Sequence, residues 1–186
     1  MDEDGQRLID YASGGDVSAL SELVARHSAW LAAYLRSLTE SETEAEDALQ
    51  DLWLRVIRHC ESYRGGSIRA YLARIARSTA IDRFRRRERA RLSLDAESAD
   101  GGTLSETIAD AAPTPSEAFG TRATSSEIRQ AVRSLPDEQR EVLMLRIEGE
   151  LTFQEISNLL GIPLGTALTR MRTATQRLKR LLEDKQ

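Results

Sequence analysis

The sequence has little of several residue types, and each shortage excludes a class of protein. Its single cysteine, Cys60, excludes an internal disulfide, and no ligand set for zinc forms around it or His59. Only 5% of the residues are aromatic, so a core must come mainly from Leu, Ile, Val and Ala, which favours helices. No apolar run approaches the ~20 residues that span a bilayer. The acidic start, MDEDGQRLID, also differs from a secretory signal, so we expect a cytosolic protein without membrane insertion.

Charge is present in quantity, but its two signs are separated along the chain. The formal net charge is -4, with acidic residues dominating segments 1–62 and 92–125. Segment 63–91 is strongly basic and ends in IARSTAIDRFRRRERAR, whereas 126–186 is nearly balanced. A merely soluble surface would intersperse the two signs. The pattern therefore predicts several partners that differ in charge.

Hydrophobic periodicity predicts three helices in the first half of the chain. The first runs from Val17 to Ser37, and the second from about Ala45 to His59 after a capping box formed by Thr43 and Glu46. The glycines of ESYRGGS predict a loop. The third helix starts near Ser67, buries apolar residues as far as Phe84, and continues into the arginine run. This half is predicted to be a helical bundle.

The remainder is predicted to be a linker followed by a second helical domain. Residues 93–125 are small, acidic and turn-forming, as in an extended linker. From residue 126, a break at Pro136, a capping box of Thr152 and Glu155, and a stop at GIP separate the helices. The last helix runs from about Leu164 to Leu182, and with its predecessor forms a helix-turn-helix. The predicted fold is all-α, with two small domains.

The last helix has one apolar face and one polar face when its residues are placed at 100° intervals. The predicted core side consists of Leu164, Ala167, Met171, Ala174, Leu178 and Leu182. The opposite side and its flanks consist of Thr166, Thr169, Arg170, Arg172, Thr173, Gln176, Arg177 and Arg180. Hydroxyls and guanidiniums bind phosphates and base edges, and no carboxylate occurs between Glu155 and Glu183. The pattern favours a DNA-recognition helix over a merely solvated one.

The second helix carries a different kind of face, in which Leu54 lies among polar and charged residues. Those neighbours are Asp47, Gln50, Asp51 and Arg58. An apolar side chain ringed by charge is typical of a protein-contact surface. The alternative is a magnesium site of Glu44, Asp47 and Asp51, as in a nuclease. No second acidic cluster and no catalytic histidine or lysine supports that alternative, so we expect no enzyme and no cofactor.

Three segments in order resemble one protein family. They are EAEDALQDLWLRVI, SYRGGSIRAYLARIARSTAIDRFRRR and LPDEQREVLMLRIEGELTFQEISNLLGIPLGTALTRMRTATQRLKRLL. Together they resemble the extracytoplasmic-function (ECF, group IV) sigma factors of bacterial RNA polymerase. The resemblance implies a region-2 domain over 1–92, a linker over 93–125 and a region-4 domain over 126–186.

The resemblance also implies partners and contact residues. Partners would be core RNA polymerase, through its β′ clamp helices and β flap, promoter DNA, and an anti-sigma factor, with no small-molecule substrate. Core contacts would be Asp47, Gln50, Asp51, Leu54 and Arg55. Contacts to single-stranded minus-10 DNA would be Tyr63, Arg64, Arg77, Ser78, Arg83 and Arg86. Contacts to duplex minus-35 DNA would be Thr166, Thr169, Arg170, Arg172, Thr173 and Arg177.

The chain departs from the family pattern at a few of these positions. Ser78 stands where asparagine is common, and Leu168 replaces a lysine of the recognition helix. Fewer cations predict weaker phosphate binding and a flatter salt dependence. The alternative function is a stand-alone helix-turn-helix regulator that binds duplex DNA as a dimer.

Overall fold

The computed structural model describes residues 2–97 and 121–183, and within these ranges the chain forms eight α-helices and no strand. The all-α prediction is confirmed. The first group of helices is α1 (Glu3–Gly14), α2 (Val17–Leu38), α3 (Glu42–Arg58) and α4 (Ile68–Glu97), with a 3₁₀ turn at Cys60–Ser62. The second group is α5 (Thr121–Arg133), α6 (Asp137–Ile147), α7 (Phe153–Leu160) and α8 (Leu164–Glu183).

Helix α1 was not predicted, and it ties the start of the chain to α4. Asp2 caps α1, because its Oδ1 accepts a hydrogen bond from the Gly5 amide at 2.7 Å. Its Oδ2 lies 3.4 Å from the amide of Ile68, the first residue of α4. One carboxylate therefore serves the first turns of two helices, where backbone N–H groups lack intrahelical partners.

A buried histidine joins α1 to α2. His27 is 1% exposed; its Nδ1 accepts from the Trp30 indole N–H at 2.9 Å, and its Nε2 lies 3.1 Å from Asp4 Oδ2. Because Nδ1 accepts a hydrogen bond, Nε2 carries the proton of the neutral ring and donates a hydrogen bond to Asp4. Burial lowers the pKa of His27 below its ordinary value, and this effect is larger than the increase caused by the nearby Asp4 carboxylate.

Helix α3 begins earlier than predicted, and the capping box predicted on Thr43 and Glu46 is wrong. Ser41 is the cap: its side chain accepts from the Glu44 amide at 3.2 Å. The Glu44 carboxylate in turn accepts from the Glu40 amide at 3.1 Å. The same serine/threonine-x-x-glutamate pattern occurs twice within residues 41–46, and the earlier copy, at the extended backbone of Ser41, is the one used.

Helix α4 is 30 residues long, about 45 Å at 1.5 Å per residue. Over residues 68–92, the part of α4 whose side chains the structure describes, burial ends at Ala80. The prediction that Phe84 is buried is therefore wrong: it is 54% exposed, with the Arg87 guanidinium 5.7 Å from its ring centroid. Helix covers both ends of the predicted 93–125 linker, and residues 98–120 lie outside the described residues.

The second group contains the predicted helix-turn-helix. The capping box of Thr152 and Glu155 starts α7, as predicted, and Gly161, with a φ of 66°, ends it in the left-handed conformation that glycine favours. Ala167 and Ala174 of α8 are fully buried, which confirms part of its predicted core side. Leu164 is instead 41% exposed, because it is the first residue of α8 and burial begins one turn later.

The two groups of helices share one hydrophobic core. Trp30 and Tyr34 of α2 belong to the same buried cluster as Val142 and Leu145 of α6. A Cβ added to Gly149 would lie 3.4 Å from the Trp30 ring, so the backbone after α6 approaches α2 closely. Among the described residues, no helix combines the length and the apolar character needed to span a membrane.

Candidate nucleic-acid and polymerase interfaces

The predicted protein-contact face lies on α3 and has an apolar centre. Leu54 is 47% exposed, and Gln50 beside it is also exposed. Asp47 and Asp51, one turn apart on the same helix, accept hydrogen bonds from the two terminal nitrogens of Arg83, at 2.8 and 2.5 Å. The face thus has an exposed leucine at its centre, and the two aspartates beside it are held in place by Arg83 of α4.

Arg55 completes the predicted core-binding set and is also tied to α4. Its guanidinium lies 2.9 Å from Asp82 and 3.5 Å from the Ser78 hydroxyl. Its side chain is 27% exposed. Helix α3 therefore brings all five predicted core-binding residues together, and the ion pairs to α4 fix the orientation of three of them.

The candidate magnesium ligands are already occupied by arginines. Arg83 takes one carboxylate oxygen each of Asp47 and Asp51, and Arg87 donates to Glu44. A guanidinium that forks between two carboxylates supplies the positive charge that a cation would otherwise supply. Over residues 2–97 and 121–183, no cluster of three or more His, Cys, Asp or Glu side chains could hold a metal ion. The geometry gives no support to a nuclease.

The arginine run divides into two sets with different surroundings. Arg83 and Arg87, four residues apart on one side of α4, face α3; Arg87 donates to Glu40 and Glu44 at 2.5 Å. The other side consists of the exposed Arg85, Arg86 and Arg89. Part of the positive charge therefore neutralises the acidic start of α3, a role that the sequence pattern did not reveal.

The loop before α4 is ordered around Tyr63, which is only 6% exposed. Its hydroxyl donates to the Gly66 carbonyl at 2.7 Å, and its ring centroid lies 5.1 Å from that of Tyr71. Burial raises the Tyr63 pKa. Because the ring is enclosed, its face is not open to a base in this conformation, and its predicted DNA contact stays a prediction. Arg64 is exposed and donates to the Glu61 carbonyl.

Of the other predicted minus-10 residues, Ser78 and Arg86 are exposed on α4. Arg77 is 34% exposed, and its Nε donates at 2.9 Å to the Glu141 carboxylate of α6. Arg77 and Arg83 therefore bind carboxylates of this same chain in the structure, whereas Ser78 and Arg86 remain accessible.

The predicted recognition helix presents its polar face as expected, with one exception. Arg172 and Arg177 are exposed, whereas Arg170 is 22% exposed and donates to Glu138 of α6 at 2.6 Å. The Thr169 and Thr173 hydroxyls donate to the carbonyls four residues earlier, at 2.8 and 2.9 Å. Their oxygens keep lone pairs that can accept from a base. Thr166 is partly exposed at the start of the same face.

Comparison with known proteins matches both halves of the chain. The models for sigma-70 region 2 and sigma-70 region 4 match residues 23–90 and 131–180. The RNA polymerase sigma factor CarQ of Myxococcus xanthus is 31% identical over 171 residues, covering 91% of this chain and 92% of CarQ. The ECF RNA polymerase sigma factor SigE of Mycolicibacterium smegmatis is 30% identical, over 89% of this chain but 63% of SigE. The chain belongs to the ECF sigma factors.

Two solved structures share the fold of this ECF sigma factor. CnrH of Cupriavidus metallidurans, in complex with the cytosolic domain of CnrY, gives a TM-score of 0.66 at 26% identity, with both chains fully covered. The sigma factor RpoE of Bartonella quintana, in complex with the anti-sigma factor NepR, gives 0.64 at 22% identity. The alignment with RpoE covers 88% of this chain and 96% of RpoE.

Proposed function

We propose that this protein directs bacterial RNA polymerase to specific promoters and assists promoter melting, without catalysing a reaction itself. The observation that carries the proposal is the order of the two sigma-70 matches on two helical groups, each with an exposed basic surface. A single helix-turn-helix would support any DNA-binding regulator. The combination with region 2 favours a polymerase subunit over a stand-alone dimeric regulator.

The α3 face is the proposed docking surface for the core enzyme. Leu54 supplies an apolar contact at its centre, and Gln50, Asp47, Asp51 and Arg55 supply polar contacts around it. An exposed leucine with a charged rim is the usual anatomy of a protein interface. The ion pairs to α4 reduce the freedom of that rim before binding, which lowers the entropic cost of association.

The basic surface of α4 and its preceding loop are proposed to hold the melted minus-10 strand. Arg64, Ser78 and Arg86 are accessible there, and Arg77 and Arg83 would join them by exchanging a carboxylate for a phosphate. Opening DNA needs no chemistry, only tighter binding of unpaired than of paired bases. Each captured base must offset a stacking loss of about 1.4 kcal/mol.

The exposed face of α8 is proposed to enter the major groove at the minus-35 element. Arg172 and Arg177 would position the helix on phosphates, and the Thr166, Thr169 and Thr173 hydroxyls would meet base edges. We also propose regulation by an anti-sigma factor, because the structural relative RpoE is bound by one. Since bacterial RNA polymerase works in the cytoplasm, the proposed function places the chain there.

Run-off transcription with purified core polymerase on genomic promoter fragments tests the proposal. The wild-type chain should give defined transcripts that core enzyme alone does not give. Leu54→Asp should weaken core binding in a pull-down titration at least tenfold, because it buries a charge in the interface. Val17→Asp makes the same change at another exposed apolar residue, 67% exposed on α2, and should bind core normally.

The DNA arm of the test uses the recognition helix. Arg177→Ala should weaken binding of the holoenzyme to promoter duplex, whereas Lys179→Ala, which removes a charge from a different side of α8, should change it less. Absence of any promoter-specific transcript would refute the proposal. Protection of a palindromic site by the chain alone would instead support the dimeric regulator.

A further inference from the structure

Leu168 is an apolar residue on the otherwise polar face that α8 turns to solvent. It is 46% exposed, whereas Ala167 and Ala174 of the same helix are fully buried. Its exposed neighbours are Thr169, which follows it in the chain, and Arg172, which lies one turn later. At 100° per residue, Leu168 and Arg172 are only about 40° apart around the helix axis. Leu168 therefore belongs to the face that is proposed to enter the major groove, and not to the core side.

Leu168 also lies in the half of α8 that is suited to contact bases. In a helix-turn-helix, the N-terminal residues of the second helix contact base edges. Helix α8 begins at Leu164, so Leu168 lies in its second turn. One turn before Leu168, Gly165 is exposed, and a Cβ added there would meet no atom within 4 Å. The space beside Leu168 is thus open to the close approach of a partner.

The four bases differ in whether their major-groove edge suits an apolar side chain. Guanine presents N7 and O6, adenine presents N7 and an amino group, and cytosine presents an amino group. A polar group that is buried against leucine without a hydrogen bond costs free energy. Thymine alone presents a methyl group in the major groove. A leucine side chain that enters the groove therefore favours thymine over the other three bases.

We propose that Leu168 is a specificity-determining residue, which selects thymine in the minus-35 element by packing on its methyl group. The inference rests on the proposed function, because that function places α8 in the major groove. Leu168 stands where lysine is common in the family. A lysine there would bind phosphates whatever the sequence, whereas a leucine gains affinity only from the apolar surface that it buries. The leucine thus exchanges general affinity for base selectivity.

The test uses the holoenzyme, formed from the full chain and core polymerase, and duplexes randomised in the minus-35 region. The selected element should contain thymine on one of its strands. Each selected thymine is then replaced singly by uracil, which differs from thymine only by the missing methyl group. At one position this change should weaken binding about fourfold, the ratio that corresponds to the burial of one methyl group.

Two variants connect that position to Leu168. Leu168→Ala should bind the thymine and uracil duplexes equally, because the contact with the methyl group is gone. Ile128→Ala is the matched control: Ile128 is also 46% exposed but lies on α5, so its truncation should leave the fourfold difference intact.

Leu168→Lys should likewise abolish the thymine preference. It should also steepen the dependence of log affinity on log salt by about one, because the lysine adds a phosphate contact. Each of these variants changes an exposed side chain, and circular dichroism checks that the helices are retained.

Equal binding of thymine and uracil duplexes by the wild-type holoenzyme at every selected position would overturn the inference. A thymine-to-uracil ratio that is the same in Leu168→Ala as in the wild type would also overturn it, as would a selected element without any A·T pair. These results would leave the proposed function intact, because the holoenzyme would still select a promoter sequence. If the holoenzyme selects no sequence, the proposed function fails and the inference fails with it.

Discussion

Replacement of Gly5 by alanine should destabilise the protein, although alanine is normally the better helix residue. Gly5 lies in the first turn of α1, directly against the buried Tyr63 ring. An added Cβ would overlap the Tyr63 hydroxyl oxygen and would lie 3.2 Å from its Cζ and 2.7 Å from Asp2 Oδ1. The ring cannot retreat freely, because it is packed on Tyr71 and hydrogen-bonded to Gly66.

The expected magnitude follows from opposing contributions. Alanine gains up to about 1 kcal/mol of helix propensity over glycine. Overpacking against a buried side chain costs about 1–3 kcal/mol, and loss of the hydrogen bond from Tyr63 to Gly66 costs about 1 kcal/mol more. We therefore expect Gly5→Ala to lower the free energy of unfolding by about 1–3 kcal/mol. At this chain length, that corresponds to a drop in Tm of several degrees.

Gly14→Ala is the matched control, since Gly14 ends the same helix and an added Cβ there meets no atom within 4 Å. Its expected change is zero to slightly stabilising. Urea unfolding followed by tryptophan fluorescence suits both variants, because Trp30 of α2 donates a hydrogen bond to His27, which contacts Asp4 of α1. Tyr63→Phe in the Gly5→Ala background should recover part of the loss by removing the overlapping oxygen. Equal stability of the two alanine variants would refute the steric argument.

Two further predictions concern the first group of helices. The pKa of His27 is lowered in the folded chain, so as the pH falls the imidazole is protonated more readily in the unfolded chain than in the folded one. The free energy of unfolding is therefore highest above about pH 6.5 and decreases as the pH falls toward the lowered pKa of the folded chain. His27→Phe should flatten this loss in a series of melting curves between neutral and mildly acidic pH, and His59→Gln, at the exposed histidine, should leave it unchanged. Ser41→Ala should lower the free energy of unfolding by about 1 kcal/mol because it removes the cap of α3, whereas Thr43→Ala should lower it far less. A larger loss for Thr43→Ala in denaturant titrations would show that Thr43, not Ser41, is the cap.

Periodicity was sufficient to predict most of the helices, because each buries one face at helical spacing. It located α2, α3, the start of α4 and the helix-turn-helix, including the cap at Thr152. It failed for Phe84, because periodicity cannot show where a long helix outruns the bundle that it packs on. It also missed α1, which is stabilised by contacts with residues distant in the sequence, such as Ile68 and Tyr63.

The sequence predicted which residues belong to the candidate sites, but it did not predict which of them pair with one another. The exposed Leu54 and the polar face of α8 follow from a helical wheel, which depends only on local geometry. The pairing of Arg83 with Asp47 and Asp51, or of Arg77 with Glu141, joins residues 32 to 64 positions apart. Nothing in a single sequence specifies such long-range pairs, because any arginine is chemically suited to any carboxylate.

These pairs explain how a protein of net charge -4 can carry DNA-binding surfaces. Several arginines predicted to bind DNA, or lying in the arginine run, have an internal carboxylate partner. The pairs are Arg77 with Glu141, Arg83 with Asp47 and Asp51, Arg87 with Glu40 and Glu44, and Arg170 with Glu138. Transfer of such an arginine to a phosphate exchanges one anion for another, so the net electrostatic gain is smaller than for a free arginine. The exposed arginines, such as Arg86 and Arg172, must therefore provide most of the long-range attraction, and the paired ones add affinity only after they leave their carboxylate partners.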